Sequence, residues 1–228
     1  MKDWFAGDVA ARYDADTADM PVEPVVDFLL PFAGGGALEL AIGTGRIAVP
    51  LAARGVRVAG IDLSPDMVAQ LRQKTDEIPV ATGDMSTTRV DGTFSLVYIV
   101  FNSINNVTTQ DGQVAVFANA ARHLAPGGRF VVEVGVHNRQ RLEVFALTDT
   151  HVGVDELDFD TQRLVSHHFS LADGEWRRLS IPFRSVSPAE LDLMARLAGM
   201  ELRERWADWD RSPFTAESTK HVSVWQKT

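Results

Sequence analysis

Along the first 136 residues, short runs of apolar side chains alternate with segments in which apolar side chains recur at helical spacing. Nearly continuous apolar runs cover residues 37–42, 56–61 and 94–101, and such runs are typical of strands buried on both faces of a sheet. Between the first two runs, residues 46–54 carry apolar side chains at helical spacing. This alternation of strand and helix predicts an α/β fold with a mostly parallel sheet and helices on both of its faces.

The pattern changes after residue 137. Residues 167–171 and 175–186 alternate apolar and polar side chains without a strong helix between them, which predicts an antiparallel pair. We therefore expect one domain, residues 1–228, with a small antiparallel cap inserted at about 140–186 after strand 5. The main sheet is predicted to have seven strands, at 37–42, 56–61, 78–81, 94–101, 129–136, 200–206 and 221–225.

Composition narrows the classes of ligand and partner. The chain has no cysteine and its six histidines lack metal-ligand spacing, so we expect no metal site. A net charge of −9 opposes nucleic-acid binding. No apolar run reaches the length of a membrane span, and the N-terminal residues do not resemble a secretory signal. We expect a cytoplasmic monomer or homodimer that acts on a small molecule, with no nucleic-acid or membrane partner.

The strongest chemical signal is Gly43-Thr44-Gly45, which follows the first strand and precedes a helix. Glycines at such a turn let a ligand approach backbone N–H groups at the positive end of the helix dipole. Glu39 lies inside the apolar strand, where a carboxylate needs either the loop amides or a cationic ligand group as its partner. Asp62 ends the second strand, where Rossmann-like folds keep an acid for ribose hydroxyls.

Four motifs together resemble those of the class I S-adenosylmethionine-dependent methyltransferases, over most of the chain from about Tyr13. They are ELAIGTG at 39–45, GIDLSPDM at 60–67, ATGDM at 81–85 and LAPGGRFVVEV at 124–134. The resemblance implies S-adenosylmethionine as the cofactor and the Rossmann-like methyltransferase fold. Two positions depart from the family pattern: Ala41 stands where many members have glycine, and Ser95 where many have aspartate.

The resemblance also implies roles for individual residues. Gly43 and Gly45 would lie against the methionine part of the cofactor. Leu63 would cover one face of the adenine, and the Asp84 carboxylate would accept a hydrogen bond from the adenine amino group. Tyr13 would close over the methionine end. The complete set of expected cofactor-binding residues is Tyr13, Glu39, Ala41, Gly43, Gly45, Asp62, Leu63, Asp84, Met85 and Phe101.

These signals have other interpretations. Residues 43–48 also satisfy the dinucleotide pattern GxGxxA, so an NAD(P)-dependent oxidoreductase is an alternative, and a non-catalytic S-adenosylmethionine-binding protein is another. Asp62 could be a solvated loop acid, Asp84 an N-cap or Asx-turn residue, and Glu39 a purely structural clamp. The acid ahead of the glycines and the second acid at Asp84 favour the methyltransferase over the oxidoreductase.

The predicted reaction is methyl transfer to oxygen or nitrogen of a small metabolite, by in-line displacement at the sulfonium methyl. A hydroxyl acceptor usually needs a general base, and His137, after the fifth strand, is the candidate. A structural or solvent-exposed histidine is the alternative for that position. Asn102 and Asn105, which follow the fourth strand, and Arg184 of the cap are predicted to bind the acceptor. The asparagines could instead form a turn, and the cap a dimer contact.

Overall fold

Two β-sheets organise the chain in the computed structural model, which describes residues 3–136, 141–172 and 174–228. The larger sheet contains β1 (Ala37–Leu40), β2 (Val58–Asp62), β3 (Val80–Thr82), β4 (Phe94–Ile99), β5 (Leu124–Gly135), β10 (Met200–Trp206) and β11 (Lys220–Lys227). The smaller sheet contains β6 (Leu142–Leu147), β7 (His151–Asp158), β8 (Arg163–Ala172) and β9 (Glu175–Arg184). The helices are α1 (Asp8–Asp16), α2 (Glu23–Leu29), α3 (Ala48–Ala53), α4 (Pro65–Lys74), α5 (Gln110–His123) and α6 (Pro188–Leu197), with 3-10 turns at Leu30–Phe32 and Ser103–Asn106.

The larger sheet has the strand order β10-β11-β5-β4-β1-β2-β3. Its five strands from β5 to β3 run parallel, and β11 lies antiparallel between β5 and β10. The predicted seven-stranded, mostly parallel sheet is therefore confirmed. The strand order reverses between β1 and β4, and the carboxyl ends of strands at such a switch point form the crevice in which open α/β sheets bind ligands.

Side-chain caps start α4 and α6 at the residues that their sequences indicate. Ser64 Oγ accepts a hydrogen bond from Met67 N at 3.3 Å, and Ser187 Oγ accepts one from Glu190 N at 3.2 Å. These bonds satisfy N–H groups that the first turn of a helix leaves without an intrahelical partner. Because the α4 cap follows β2 so closely, it also fixes the position of Asp62 at the crevice.

Apolar layers cover both faces of the larger sheet. On one face, Phe117 of α5 meets Phe130 and Trp225 edge-on, with ring centroids 5.0 and 5.4 Å apart. On the other face, Phe28 of α2 meets Trp209 edge-on at 5.2 Å. All five rings are buried. Large aromatic side chains packed on both faces make the sheet a well-ordered platform for the crevice.

The smaller sheet is the predicted antiparallel insertion, and it is larger than its sequence pattern indicated. Strands β6 to β9 pair consecutively and antiparallel. The sequence prediction found β8 and β9 but missed β6 and β7. The register of β6 shifts between Val144 and Ala146, which breaks its alternation, and β7 carries a glycine and three acids, residue types depleted in strands.

A buried arginine at the end of β9 joins the insertion to the main fold. Arg184 is 6% exposed. Its guanidinium donates to Gln113 Oε1 at 2.5 Å, Gln162 Oε1 at 2.6 Å and Glu190 Oε1 at 2.7 Å. Burial acts to raise the pKa of Glu190, but the hydrogen bonds from Arg184 and its neighbours outweigh this effect and lower it. These partners favour a structural role for Arg184 over the acceptor contact predicted from the sequence.

Candidate active site

The loop after β1 forms a tight backbone cradle at the crevice. Ala41, Gly43 and Gly45 have positive φ values of 61°, 55° and 77°. A Cβ on Gly45 would collide with Leu71 Cδ1 of α4, so glycine is required there for space as well as for conformation. Left-handed geometry costs a non-glycine residue about 1–2 kcal/mol. The loop therefore stores strain at Ala41, the position where the family pattern usually has glycine.

Asp62 ties this loop to the end of β2. Its Oδ2 accepts a hydrogen bond from Gly43 N at 2.6 Å, and its Oδ1 accepts one from Ser64 N at 2.8 Å. Burial raises the pKa of Asp62, although these two N–H groups act to lower it. Each carboxylate oxygen can accept more than one hydrogen bond, so Asp62 can hold the loop and still receive hydroxyl donors from a ligand.

Glu39 is a buried carboxyl group directly below the loop. It is 2% exposed, and its Oε2 accepts a hydrogen bond from the Tyr98 hydroxyl at 2.9 Å. Burial raises the pKa of Glu39 to about 8, although the Tyr98 hydroxyl and the positive charge of Arg46 act to lower it. The group is therefore mostly protonated at pH 7 in the free protein, and a cationic ligand group would favour its ionised form.

The sequence prediction omits Arg46, which follows Gly45. Arg46 Nη1 is buried and makes no hydrogen bond in the structure as described. The guanidinium carbon lies 5.9 Å from the centroid of the Phe101 ring. A buried guanidinium donor without an acceptor is costly, and this one fits an anionic ligand group. The signal that could have found it is a cation directly after the glycines in an acidic chain.

Helix α1, which the sequence prediction also omits, packs over the loop. Asp14 Oδ1 accepts a hydrogen bond from Thr44 Oγ1 at 2.6 Å, and Asp14 Oδ2 lies 2.5 Å from Lys74 Nζ. The same lysine donates to the Thr44 carbonyl at 2.8 Å. Burial raises the pKa of Tyr13 to about 12, although the charge of Arg46 acts to lower it. The phenol of Tyr13 therefore stays protonated at neutral pH.

The residues expected on the adenine side lie at the ends of β2 and β3. Gly83 N donates to the Asp62 carbonyl at 2.7 Å, which brings the two strand ends together. Asp84 Oδ1 accepts from Ser86 N at 2.8 Å and from Ser86 Oγ at 2.6 Å. This bond pattern is the Asx turn considered from the sequence, and it also holds the carboxylate in place. Leu63 is half-buried and Met85 is buried.

The chain after β4 borders the crevice at the carboxyl end of that strand. Phe101 and Asn102 both have positive φ values, of 54° and 60°. Asn105 is 2% exposed, and its Oδ1 makes no hydrogen bond within the described ranges. The candidate base His137 lies outside the described residues. Among the residues that are described, no cluster of three or more His, Asp or Glu side chains could hold a metal ion.

The sheet order, the crevice and the glycine loop define a Rossmann-like ligand-binding enzyme, and comparison with known proteins identifies its family. Residues 37–128 match the family model described as a methyltransferase domain. The CcbJ methyltransferase from Streptomyces caelestis aligns over 94% of this chain and 96% of its own, with a TM-score of 0.82 and 32% identity. The chain belongs to the class I S-adenosylmethionine-dependent methyltransferases, and its cofactor is S-adenosylmethionine.

Two further relatives lie in the same family. A dTDP-3-amino-3,4,6-trideoxy-alpha-D-glucopyranose N,N-dimethyltransferase from Streptomyces venezuelae is 29% identical over 67% of this chain, and the match spans 62% of that relative. The cypemycin N-terminal methyltransferase from a Streptomyces species is 27% identical over 86% of this chain and 85% of its own length. The family excludes the NAD(P)-dependent oxidoreductase that the glycine pattern left open.

Proposed function

We propose that this protein transfers the methyl group of S-adenosylmethionine to nitrogen or oxygen of a small metabolite, with an amine nitrogen as the favoured acceptor. The observation that carries the proposal is the charge pattern of the crevice. Arg46 has a buried, unpartnered Nη1. Burial raises the pKa of the Glu39 carboxyl, and the positive charge of Arg46 acts to lower it. A methionine group carries one carboxylate and one ammonium, so a cation and an acid side by side in the crevice can bind both of its charged groups.

Each residue of the crevice then has a defined task. Arg46 would pair with the carboxylate, Glu39 would accept from the ammonium, and Asp62 would accept from the ribose hydroxyls. When bound, S-adenosylmethionine supplies an electrophilic methyl group. Tyr13 and the rest of α1 cover the loop and exclude water from it. Phe101 would border the path along which the acceptor approaches.

The remaining expected contacts complete this proposal. Leu63, Asp84 and Met85 would hold the adenine at the ends of β2 and β3. The buried Asn105 Oδ1 has no hydrogen-bond partner in the described part of the chain, so it can accept a hydrogen bond from an acceptor N–H or O–H group. Asn102 would help to bind the acceptor by holding the turn that it forms with Phe101 beside the acceptor.

Names of similar proteins support nitrogen as the methylated atom. They include the N,N-dimethyltransferase of a dTDP-amino sugar and an N-terminal methyltransferase. An amine that arrives neutral attacks the methyl carbon without a general base, so the protein needs only to orient it and exclude water. A base such as His137 would be required only for a hydroxyl acceptor.

The expected setting of this reaction follows from charge and size. We propose a single-domain, cytoplasmic enzyme that works as a monomer or homodimer. Its net charge of −9 favours a small-molecule acceptor over a nucleic acid. None of the helices in the described segments is long and apolar enough to cross a membrane.

The first test is isothermal titration with S-adenosylhomocysteine, with NADH and NADPH as paired controls. We expect binding of the adenosyl ligand alone. The protein would then be incubated with S-adenosylmethionine and a panel of amines, including amino sugars and peptides with free N-termini, and products would be detected by mass spectrometry. Absence of S-adenosylhomocysteine binding would refute the proposal, and cofactor binding with turnover only on hydroxyl compounds would refute the amine preference.

Binding is also expected to release a proton at pH 7. The pKa of Glu39 is raised to about 8 in the free protein, so its carboxyl is mostly protonated at pH 7. An ammonium group beside it favours the ionised form and lowers that pKa in the complex, so affinity should rise with pH up to about 8. Titrations in phosphate and Tris, which differ in ionisation enthalpy, measure the proton count. Glu39→Gln should abolish the release, and proton uptake on binding would contradict the assignment.

A further inference from the structure

A charged side chain of β5 holds the backbone that follows β4. Glu133 Oε2 accepts a hydrogen bond from the backbone N–H of Phe101 at 2.8 Å. The other carboxylate oxygen, Oε1, accepts from Trp209 Nε1 at 2.9 Å and lies 3.6 Å from Lys220 Nζ. The Glu133 side chain is 12% exposed. The carboxylate is largely buried, and these three contacts from separate parts of the fold fix its orientation.

The backbone that Glu133 holds is strained. Phe101 and Asn102 are two successive left-handed residues, and neither is glycine. The second is fixed by its own bonds: Asn102 N donates to the Glu133 carbonyl at 3.3 Å, and Asn102 Oδ1 accepts from Gly135 N at 2.5 Å. A strained pair of this kind persists only when surrounding interactions over-determine it. Here three hydrogen bonds to the end of β5 do so.

The strained turn forms one wall of the crevice. Phe101 is 37% exposed, and its ring centroid lies 5.9 Å from the guanidinium carbon of Arg46. Relaxation of the turn would therefore move this ring relative to the glycine loop. We propose that Glu133 is a positioning residue whose carboxylate keeps the Phe101–Asn102 turn left-handed and so sets the wall beside which the methyl group leaves. This inference rests on the proposed function.

Amide hydrogen exchange of Phe101, followed by NMR, and titration with S-adenosylhomocysteine test this role together. In Glu133→Ala we expect faster exchange of the Phe101 amide, because its acceptor is lost. Phe101 is also one of the expected cofactor-binding residues, and only the left-handed turn holds its ring beside the glycine loop. Affinity for S-adenosylhomocysteine should therefore fall about fivefold or more when the turn relaxes. Glu201→Ala removes an exposed glutamate of β10 and is the matched control, in which neither quantity should change.

A second variant keeps the side-chain shape. In Glu133→Gln the amide has one acceptor oxygen for the N–H groups of both Phe101 and Trp209. Adding Trp209→Phe removes one donor, so the Phe101 amide should exchange more slowly in the double variant than in Glu133→Gln alone. Wild-type exchange and affinity in Glu133→Ala would overturn the positioning role. Failure of the wild-type protein to bind S-adenosylhomocysteine would instead overturn the proposed function.

Discussion

Asp62→Ala is expected to abolish measurable binding of S-adenosylhomocysteine while leaving a folded protein. The alanine removes the acceptors for Gly43 N and Ser64 N and the proposed acceptor for the ribose hydroxyls. Each hydrogen bond to a charged group contributes about 1.5–3 kcal/mol, so the loss of the two bonds from the ribose hydroxyls alone corresponds to about a thousandfold in affinity. Isothermal titration measures the affinity, and thermal unfolding followed by circular dichroism checks the fold.

Two variants make this experiment specific to the position. Asp62→Asn keeps one acceptor oxygen and should bind with intermediate affinity. Asp76→Ala removes an exposed aspartate after α4 and should bind as the wild type does. The structure already contradicts a solvated loop acid, because Asp62 is 8% exposed. If Asp62→Ala bound S-adenosylhomocysteine with nearly wild-type affinity, Asp62 would only hold the loop through Gly43 N and Ser64 N and would not contact the ribose.

Arg46→Met should change affinity and stability in opposite directions. Loss of a charged partner for the ligand carboxylate is expected to weaken S-adenosylhomocysteine binding by about a hundredfold. The free protein should unfold at a denaturant concentration no lower than the wild type, because the substitution also removes a buried donor without a partner. Titration and urea unfolding on the same preparations measure the two effects.

A fall in affinity without a fall in stability distinguishes a ligand-binding arginine from a structural one. Substitution of a structural arginine would lower the stability of the protein as well. Arg54→Met is the matched control. Arg54 is 42% exposed and pairs with Glu23 and Asp27 at the surface, where ion pairs contribute little. Arg54→Met should therefore change neither the affinity for S-adenosylhomocysteine nor the stability of the protein by much. A clear loss of stability in Arg46→Met with unchanged affinity would show that Arg46 does not contact the cofactor.

The sequence predicted well those helices and strands whose start and end signals lie within the segment itself. Helix α4 carries a serine cap, a proline at its first position and basic residues in its last turn, and its predicted end at Lys74 is confirmed. Helix α1 has no side-chain cap and no basic residue in its last turn, and it depends on distant contacts, such as Asp14 with Lys74 and Gly7 N with Asp66. Those contacts are invisible in a linear pattern, and the helix was missed for that reason.

The same contrast holds in the site. Gly43, Gly45 and Asp62 could be proposed from the sequence because their positions after two successive strands place them at one sheet edge. Arg46 became a candidate only when its unpartnered Nη1 was located. Glu133 acts on a residue 32 positions away along the chain, and no spacing rule connects the two. Tertiary hydrogen bonds of this kind decide the geometry of the crevice wall without leaving a sequence motif.

The Arg184 cluster bears on how acceptor preference could be redesigned. Its three acceptors belong to α5, to the turn before β8 and to α6, so the insertion and the main fold share one buried polar network. If β6 to β9 were replaced by the strands of a relative, Gln113 and Glu190 would face a different side chain in place of Arg184. A buried polar network with only some of its hydrogen bonds made destabilises a protein more than an apolar cluster at the same place. A chimaera that retains activity must therefore carry matching residues on both helices along with the new strands.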